Sequence, residues 1–331
     1  MQIMKPSITL ESEAAIERTT VTRFDSQSDE KLAHSLDSAP KHANLIYDVG
    51  MHKGEDTDYY LKKGFRVIGF EANPQNAAHC RNRFAEAIAQ ERLTIVEGAI
   101  VESNSSAERV KFYRNVDHSP WGSTCDDWAQ RNEVMRTSNE IIEVEATDFK
   151  KCLATYGVPY YLKADIVGSE IICLRALLDF VNKPDYISIR SEKFVFSKLE
   201  KEIDVLEQLG YDSFQAIQQD ISQMRAPADS KEGEKIAHVF DEGASGIFGK
   251  DLRGVWKSKE QIIKEYQRIF AVYWLFGDYS FLRQSERGRK IISGLERILR
   301  RPLPGWYDTH AKRSSASLLN LFLYASFIFP Q

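Results

Sequence analysis

The stretch Ile46-Tyr47-Asp48-Val49-Gly50-Met51-His52-Lys53-Gly54-Glu55-Asp56-Thr57 constrains this chain more than any other. An apolar run ends in an acid, turns on two glycines four apart, and opens onto acidic residues suited to the first turn of a helix. A second apolar run, Val67 to Phe70, ends in Glu71 and is followed by Ala72-Asn73-Pro74. Strand, glycine turn, helix, strand, acid is the order in which an open α/β sheet builds a nucleoside crevice at the carboxyl ends of its strands. Gly50 and Gly54 permit tight turning and close backbone approach. Glu71 is placed to accept hydrogen bonds from two ribose hydroxyls.

Charge narrows the ligand. Dinucleotides prefer G-x-G-x-x-G, because a pyrophosphate lies on the helix N-terminus. Here the glycines are spaced Gly50-x-x-x-Gly54, with Asp48 before them and Glu55, Asp56 and Thr57 opening the helix. Such acids repel a pyrophosphate. They suit S-adenosyl-L-methionine, which carries a sulfonium and an ammonium and no phosphate. An NAD-dependent oxidoreductase or epimerase is the weaker alternative, since no Tyr-x-x-x-Lys pair accompanies the turn.

From Asn44 onward strands and helices alternate, which implies parallel strands with helical crossovers. Strands are expected at 45–49, 66–71, 93–97, 159–165 and 185–190. Helices are expected at 55–63, 75–88, 147–155, 169–181 and 197–209, the last closed by Gly210. Extra strands at 110–113 and 141–145 flank a polar loop holding His118, Trp121 and Trp128. Residues 1–42 read as a mobile arm with a short helix near Glu11–Arg18, residues 43–257 as the main domain, and 258–331 as a helical extension with patterns at 258–276 and 285–300. The apolar end, 318–330, falls short of the roughly 20 residues of a membrane span.

Asp48-Val49-Gly50-Met51-His52-Lys53-Gly54, Gly69-Phe70-Glu71-Ala72-Asn73-Pro74 and Leu162-Lys163-Ala164-Asp165-Ile166-Val167-Gly168-Ser169-Glu170 resemble the three signature segments of the FkbM-type methyltransferases. Ser245-Gly246-Ile247-Phe248-Gly249 with Trp256, and Trp306-Tyr307-Asp308-Thr309-His310, resemble tail segments of some members. The resemblance implies a Rossmann-like class I methyltransferase sheet, mostly parallel with an antiparallel edge and helices on both faces. It implies that Asp48, Gly50 and Gly54 line the methionine end of S-adenosyl-L-methionine and that Glu71 holds the ribose. Asn73 and Pro74 then stand beside the adenine, Glu97, Gly98 and Ala99 contact its ring, and Asp165 faces the reacting methyl. His52 is expected to orient the turn.

The chain departs from the family in two places. Members usually read Asp-x-Glu-Gly at the fourth strand, where this chain has Asp165-Ile166-Val167-Gly168; the fifth strand usually ends in a further acid, where this chain has Arg190. Three explanations stand open: Val167 is simply packed, Arg190 binds an anionic acceptor bidentately, or the cofactor is bound and the chemistry lost. Candidate bases are Asp165, His118 and Glu192. Trp121 and Trp128, with Arg190, are candidates to hold the acceptor. No metal site is expected, because hard cations need several oxygen ligands.

The expected function is methyl transfer to a hydroxyl of a small molecule or glycan. The alternative is a cofactor-binding or interaction protein on a degenerate scaffold. A net charge of −4 gives no reason to expect a nucleic-acid partner. Residues 250–301 hold 13 Lys/Arg against 6 Asp/Glu; they form either a solvated helical face or, with the apolar end, a peripheral membrane contact. Four cysteines without a CxxC pair fit free thiols in a cytoplasmic protein.

Overall fold

The computed structural model describes residues 39–219, 229–241, 243–299 and 303–314. The arm as far as residue 38, with its proposed short helix, and the apolar end at 318–330 lie outside the described residues.

The strands are β1 (Lys41–Val49), β2 (Arg66–Glu71), β3 (Leu93–Glu97), β4 (Ala99–Val101), β5 (Arg109–Asn115), β6 (Asn139–Asp148), β7 (Val158–Ala164), β8 (Tyr186–Arg190), β9 (Ser213–Gln218) and β10 (Tyr307–Lys312). Seven form one sheet in the order β3-β2-β1-β7-β8-β10-β9. β1 pairs in parallel with β2 and β7, β2 with β3, and β7 with β8. Antiparallel pairing is confined to one edge, where β10 runs reversed between β8 and β9. Residues expected to form a helical extension thus supply a strand of the central sheet. β1 also starts earlier than expected, with Lys41 and His42 pairing beside Val158 and Pro159.

Side-chain alternation builds a core on each face. Leu45, Tyr47 and Val49 of β1 pack with Leu162 and Ala164 of β7 on one side, against helices α5 (Phe149–Tyr156), α6 (Glu170–Leu178), α7 (Phe196–Gln208) and α8 (Lys259–Phe276). Ile46, Val67 and Tyr161 face the other side, with Tyr59 and Tyr60 of α1 (Glu55–Lys62) and with Phe240 and Phe248. Both faces are covered, so the inner strands read as nearly continuous apolar runs. Full burial of one such side chain is worth about 1.5–3 kcal/mol.

Local chemistry sets the helix starts nearest the crevice. Asn73 caps its helix (Pro74–Arg83) by accepting from Gln75 N–H at 3.1 Å, with Pro74 in the first turn where a missing N–H is harmless. The helix expected over 75–88 breaks at Phe84 into that segment and Ala85–Ala89. Between β3 and β7 a small sheet, β4-β6-β5, is inserted ahead of the crossover helix α5. Part of the presumed polar loop is a helix, Asp126–Val134, which carries Trp128.

Candidate functional site

β1 leads toward β2 on one side of the sheet and lies against β7 on the other, so the chain order reverses between them. Ligands of open α/β sheets bind at the carboxyl ends of strands beside such a reversal. A cleft of about 870 Å³, solvent-open space included, lies there. Gly50, His52, Glu71, Asn73, Gly98, Ala99 and Asp165 line it. Gly50 has φ +83°, and a Cβ there would run into the backbone carbonyl oxygen of Asp165. Only glycine fits that crossing of the two loops.

Asp48 does not line the cleft. It is fully buried, and Lys163 of β7, which sequence reasoning passed over, explains why. The Lys163 Nζ lies 3.0 Å from Asp48 Oδ1 and 3.1 Å from Asp56 Oδ2. Thr57 donates its hydroxyl to Asp48 at 2.6 Å, so Thr57 holds an acid in place rather than facing a ligand. Asp56 also accepts backbone N–H groups of Ser245 and Gly246 at 2.9–3.1 Å. Burial alone would depress the Lys163 ammonium; Asp48 and Asp56 overcome it and hold the group well above the usual lysine range. Two acids face one lysine there, and burial, opposed by Lys163, raises the Asp56 carboxyl above its ordinary range.

Glu71 accepts from His52 N–H and Asn73 N–H, each at 2.8 Å. A carboxylate has about four lone-pair sites, and the side-chain amide of Asn76 takes up a third. Burial pushes its pKa up to about 7 despite these amides. His52 sits in the left-handed region at φ +51° and is fixed at both ring nitrogens, Nδ1 to Glu55 at 2.9 Å and Nε2 to Ser119 at 3.0 Å.

At the end of β7, Asp165 accepts from Arg190 at 2.9 Å. Arg190 does not line the cleft; its guanidinium lies 3.9 Å from the centre of the Trp306 ring. Its partner across the sheet is Asp308 of β10, a carboxyl that burial and the nearby Asp165 push up to about 8. An acid therefore does stand beside the fifth-strand end, delivered by a strand that hydropathy hides. Val167 lines the cleft at φ +52°, a strained conformation for a β-branched residue. Glu170 braces that turn by accepting from Ile166 N–H and Gly168 N–H at 3.2 and 2.9 Å.

The FkbM methyltransferase domain matches residues 48–213, half of the chain. This chain belongs to that family. The cofactor of the family is S-adenosyl-L-methionine, and the residues present fit it: Gly50 leaves room for close approach, Glu71 offers a carboxylate to a hydroxyl, and the acid-rich lining complements a sulfonium. A relative named "Probable ribosomal RNA small subunit methyltransferase A", from Haloarcula marismortui, is 30% identical over 122 residues, 34% of this chain. The match spans 41% of the length of that relative. A precorrin-6y C5,15-methyltransferase from Geobacter metallireducens overlaps 64% of this chain and 82% of its own, at 12% identity and TM-score 0.29. A SAM-dependent O-methyltransferase from Thermotoga maritima overlaps 69% of this chain and 63% of its own, at 13% identity and TM-score 0.29. Overlaps this loose carry no functional information.

Several residues that the FkbM resemblance or the local sequence singled out lie away from the cleft lining. Gly54 is the cap of α1, and its missing Cβ makes room for the Phe84 ring. Pro74 starts its helix, and Glu97 pairs with Arg81 at 2.6 Å. Glu192 accepts from Phe194 N–H at 2.6 Å and Val195 N–H at 3.2 Å, tying down the loop before α7. His118 is exposed and packs on Trp121, with ring centres 4.4 Å apart. Trp121 in turn covers Arg131, and Trp128 is buried against Trp306. Among the described residues no cluster of three or more His, Cys, Asp or Glu is placed to hold a metal ion, and no helix is long and apolar enough to cross a membrane.

Proposed function

We propose that the protein transfers the methyl group of S-adenosyl-L-methionine to a hydroxyl oxygen of a small molecule or glycan, with Asp165 as the base. The observation that carries this reading is the position of Asp165: it lines the cleft at the end of β7, where a carboxylate can accept a proton from an incoming hydroxyl. The cofactor supplies an already activated methyl on its sulfonium. Gly50, His52, Glu71, Asn73, Gly98 and Ala99 would hold it, leaving the chain to align the acceptor and exclude water. Alignment alone supplies about 7–11 kcal/mol of such a barrier.

The acceptor class follows from the rest of the lining. Asn76, Ser119, Thr124 and Ser169 offer uncharged hydrogen-bonding groups suited to a polyhydroxylated molecule. Four carboxylates, Glu55, Asp56, Glu71 and Asp165, outweigh Lys163 there and oppose a phosphate backbone. A small acceptor therefore fits better than the ribosomal RNA named for the relative. The four cysteines are all free, which supports a reducing, cytoplasmic setting.

The ion pair between Arg190 and Asp165 favours one second reading, a scaffold that binds cofactor without transfer, because a paired carboxylate is a weak base. Labelled S-adenosyl-L-methionine and a fractionated cell extract separate the two. Transfer of label by the natural chain and its loss in Asp165→Asn, with S-adenosylhomocysteine binding retained by calorimetry, is the expected result. Unchanged transfer by Asp165→Asn would refute the role of Asp165, and no transfer onto any fraction would favour the binding scaffold.

A further inference from the structure

Beyond the cleft, three cations gather around one indole. Lys193 lies 3.4 Å and Arg190 3.9 Å from the centre of the Trp306 ring, and Arg131 lies 5.5 Å from it. Arg190 has Asp165 as its counterion. Arg131 and Lys193, both more than nine-tenths buried, share a single oxygen, Asp278 Oδ2, at 2.8 and 2.7 Å. Among the described residues neither has another carboxylate within ion-pair range, so two buried cations face one acid. Burial, only partly offset by Asp278, brings Lys193 down to about 7.

Lys193 and Asp278 also line a hollow of about 1130 Å³, open to solvent, that shares no lining residue with the cofactor cleft. Its walls include Tyr273, Trp274, Tyr279 and Phe281. Trp274 and Phe281 are 80% and 83% exposed, an unusual position for two large rings on neighbouring segments. Aromatic walls favour stacking with a flat apolar body. The uncompensated positive charge favours an anion at one end of that body.

We propose that this hollow is a second ligand site, taking a small aromatic molecule that carries one anionic group, with Lys193 as the anion contact. Below pH 7, where Lys193 keeps its proton, such a ligand matches the charge, and the rings lose their exposure at the same step. The proposal does not rest on the methyl-transfer reading, because no residue lining the hollow lines the cleft.

A pair of dyes tests it: 8-anilinonaphthalene-1-sulfonate and its uncharged counterpart N-phenyl-1-naphthylamine, titrated by fluorescence into the full chain at pH 6, where Lys193 is protonated. We expect one sulfonate dye per chain, bound at least tenfold more tightly than the neutral dye, with the preference abolished in Lys193→Met and partly kept in Lys193→Arg. Trp274→Asp, at a surface position that leaves folding intact, should weaken the sulfonate dye far more than the neutral one. Equal affinity of the two dyes for the natural chain overturns the proposal. So does a preference that survives Lys193→Met in a chain folded by circular dichroism, or indifference of both dyes to Trp274→Asp. If the chain's own residues after 314 filled the hollow, no saturable binding would be seen, and the proposal would fall. S-adenosylhomocysteine binding should be unchanged throughout, so failure here and failure of the cofactor reading remain distinct.

Discussion

Replacing Lys163 by methionine removes the ammonium between Asp48 and Asp56 while keeping most of the side-chain volume. At the observed separations of 3.0 and 3.1 Å, each attraction is worth about 5.5 kcal/mol at an effective dielectric of 20. Desolvation of three buried charges offsets most of that in the natural chain. Removal of one partner is different, because two carboxylates stay buried without it. The neighbours soften the loss: Thr57 still donates to Asp48, and Ser245 and Gly246 to Asp56. A net loss of about 3–5 kcal/mol at pH 8 is expected. It should depend on pH. In the variant at least one aspartate has a folded-state pKa above its unfolded value of about 3.9. Such an acid subtracts stability above the unfolded pKa, increasingly as pH rises toward the folded one. The deficit should therefore shrink on acidification, by up to about 1.4 kcal/mol per unit, and be clearly smaller at pH 5 than at pH 8. In the natural chain Lys163 stays charged across this range and opposes the rise that burial already gives Asp56, so its removal steepens a slope the natural chain has in the same direction. Urea unfolding followed by tryptophan fluorescence at the two pH values gives both numbers. A loss under about 1 kcal/mol, or an equal loss at pH 5 and pH 8, would refute the claim that Lys163 neutralises the crevice floor.

Gly50→Ala should abolish S-adenosylhomocysteine binding in calorimetry and lower stability by about 2 kcal/mol or more, from the left-handed conformation alone and the collision with Asp165; retained binding would contradict the crossing described. For Glu71, whose folded pKa is raised to about 7, cofactor affinity should climb between pH 5.5 and 7.5 as the carboxylate ionises and then level off. Glu71→Gln should bind weakly with no such rise, and a flat profile in the natural chain would exclude the ribose role. His310 is buried and held neutral, its pKa brought down to about 3 by burial. Its contribution to stability is complete above the unfolded value of about 6.5 and is lost as pH falls toward 3, at up to about 1.4 kcal/mol per unit. Urea midpoints of His310→Gln should lose that part of the acid sensitivity; an unaltered slope would argue against a neutral buried imidazole.

The first turn was legible because its chemistry is local. A glycine forced to φ +83° and an acid at a strand end announce themselves within a dozen residues. Lys163 was not, since a lone lysine inside Tyr161-Leu162-Lys163-Ala164 reads as an interruption of a strand until its distant counterions are known. The converse signal was available: a lysine in so apolar a run requires buried acids, and Asp56, together with Asp48, which the FkbM resemblance assigns to the cofactor, could supply them. Gly54 misled in the opposite way, its small size serving Phe84 rather than a ligand. β10 escaped because Asp308, Thr309 and His310 are all buried and none is apolar. Part of that polarity is absorbed by hydrogen bonds, Thr309 with Ser191 at 2.9 Å and Tyr266 at 2.6 Å, which no periodicity can reveal.

The place of β10 in the sheet also bears on how the protein is made. β9 ends at Gln218, yet the strand that joins it to β8 begins only at Tyr307. During synthesis at about 5–20 residues per second, the nascent chain must wait several seconds with a gap in its sheet. Two unpaired strand edges, on β8 and β9, are exposed for that interval, and such edges invite pairing with other chains. A transcript truncated shortly before Tyr307 should therefore yield aggregates rather than a smaller folded protein. Quality control of this protein would be read at β10.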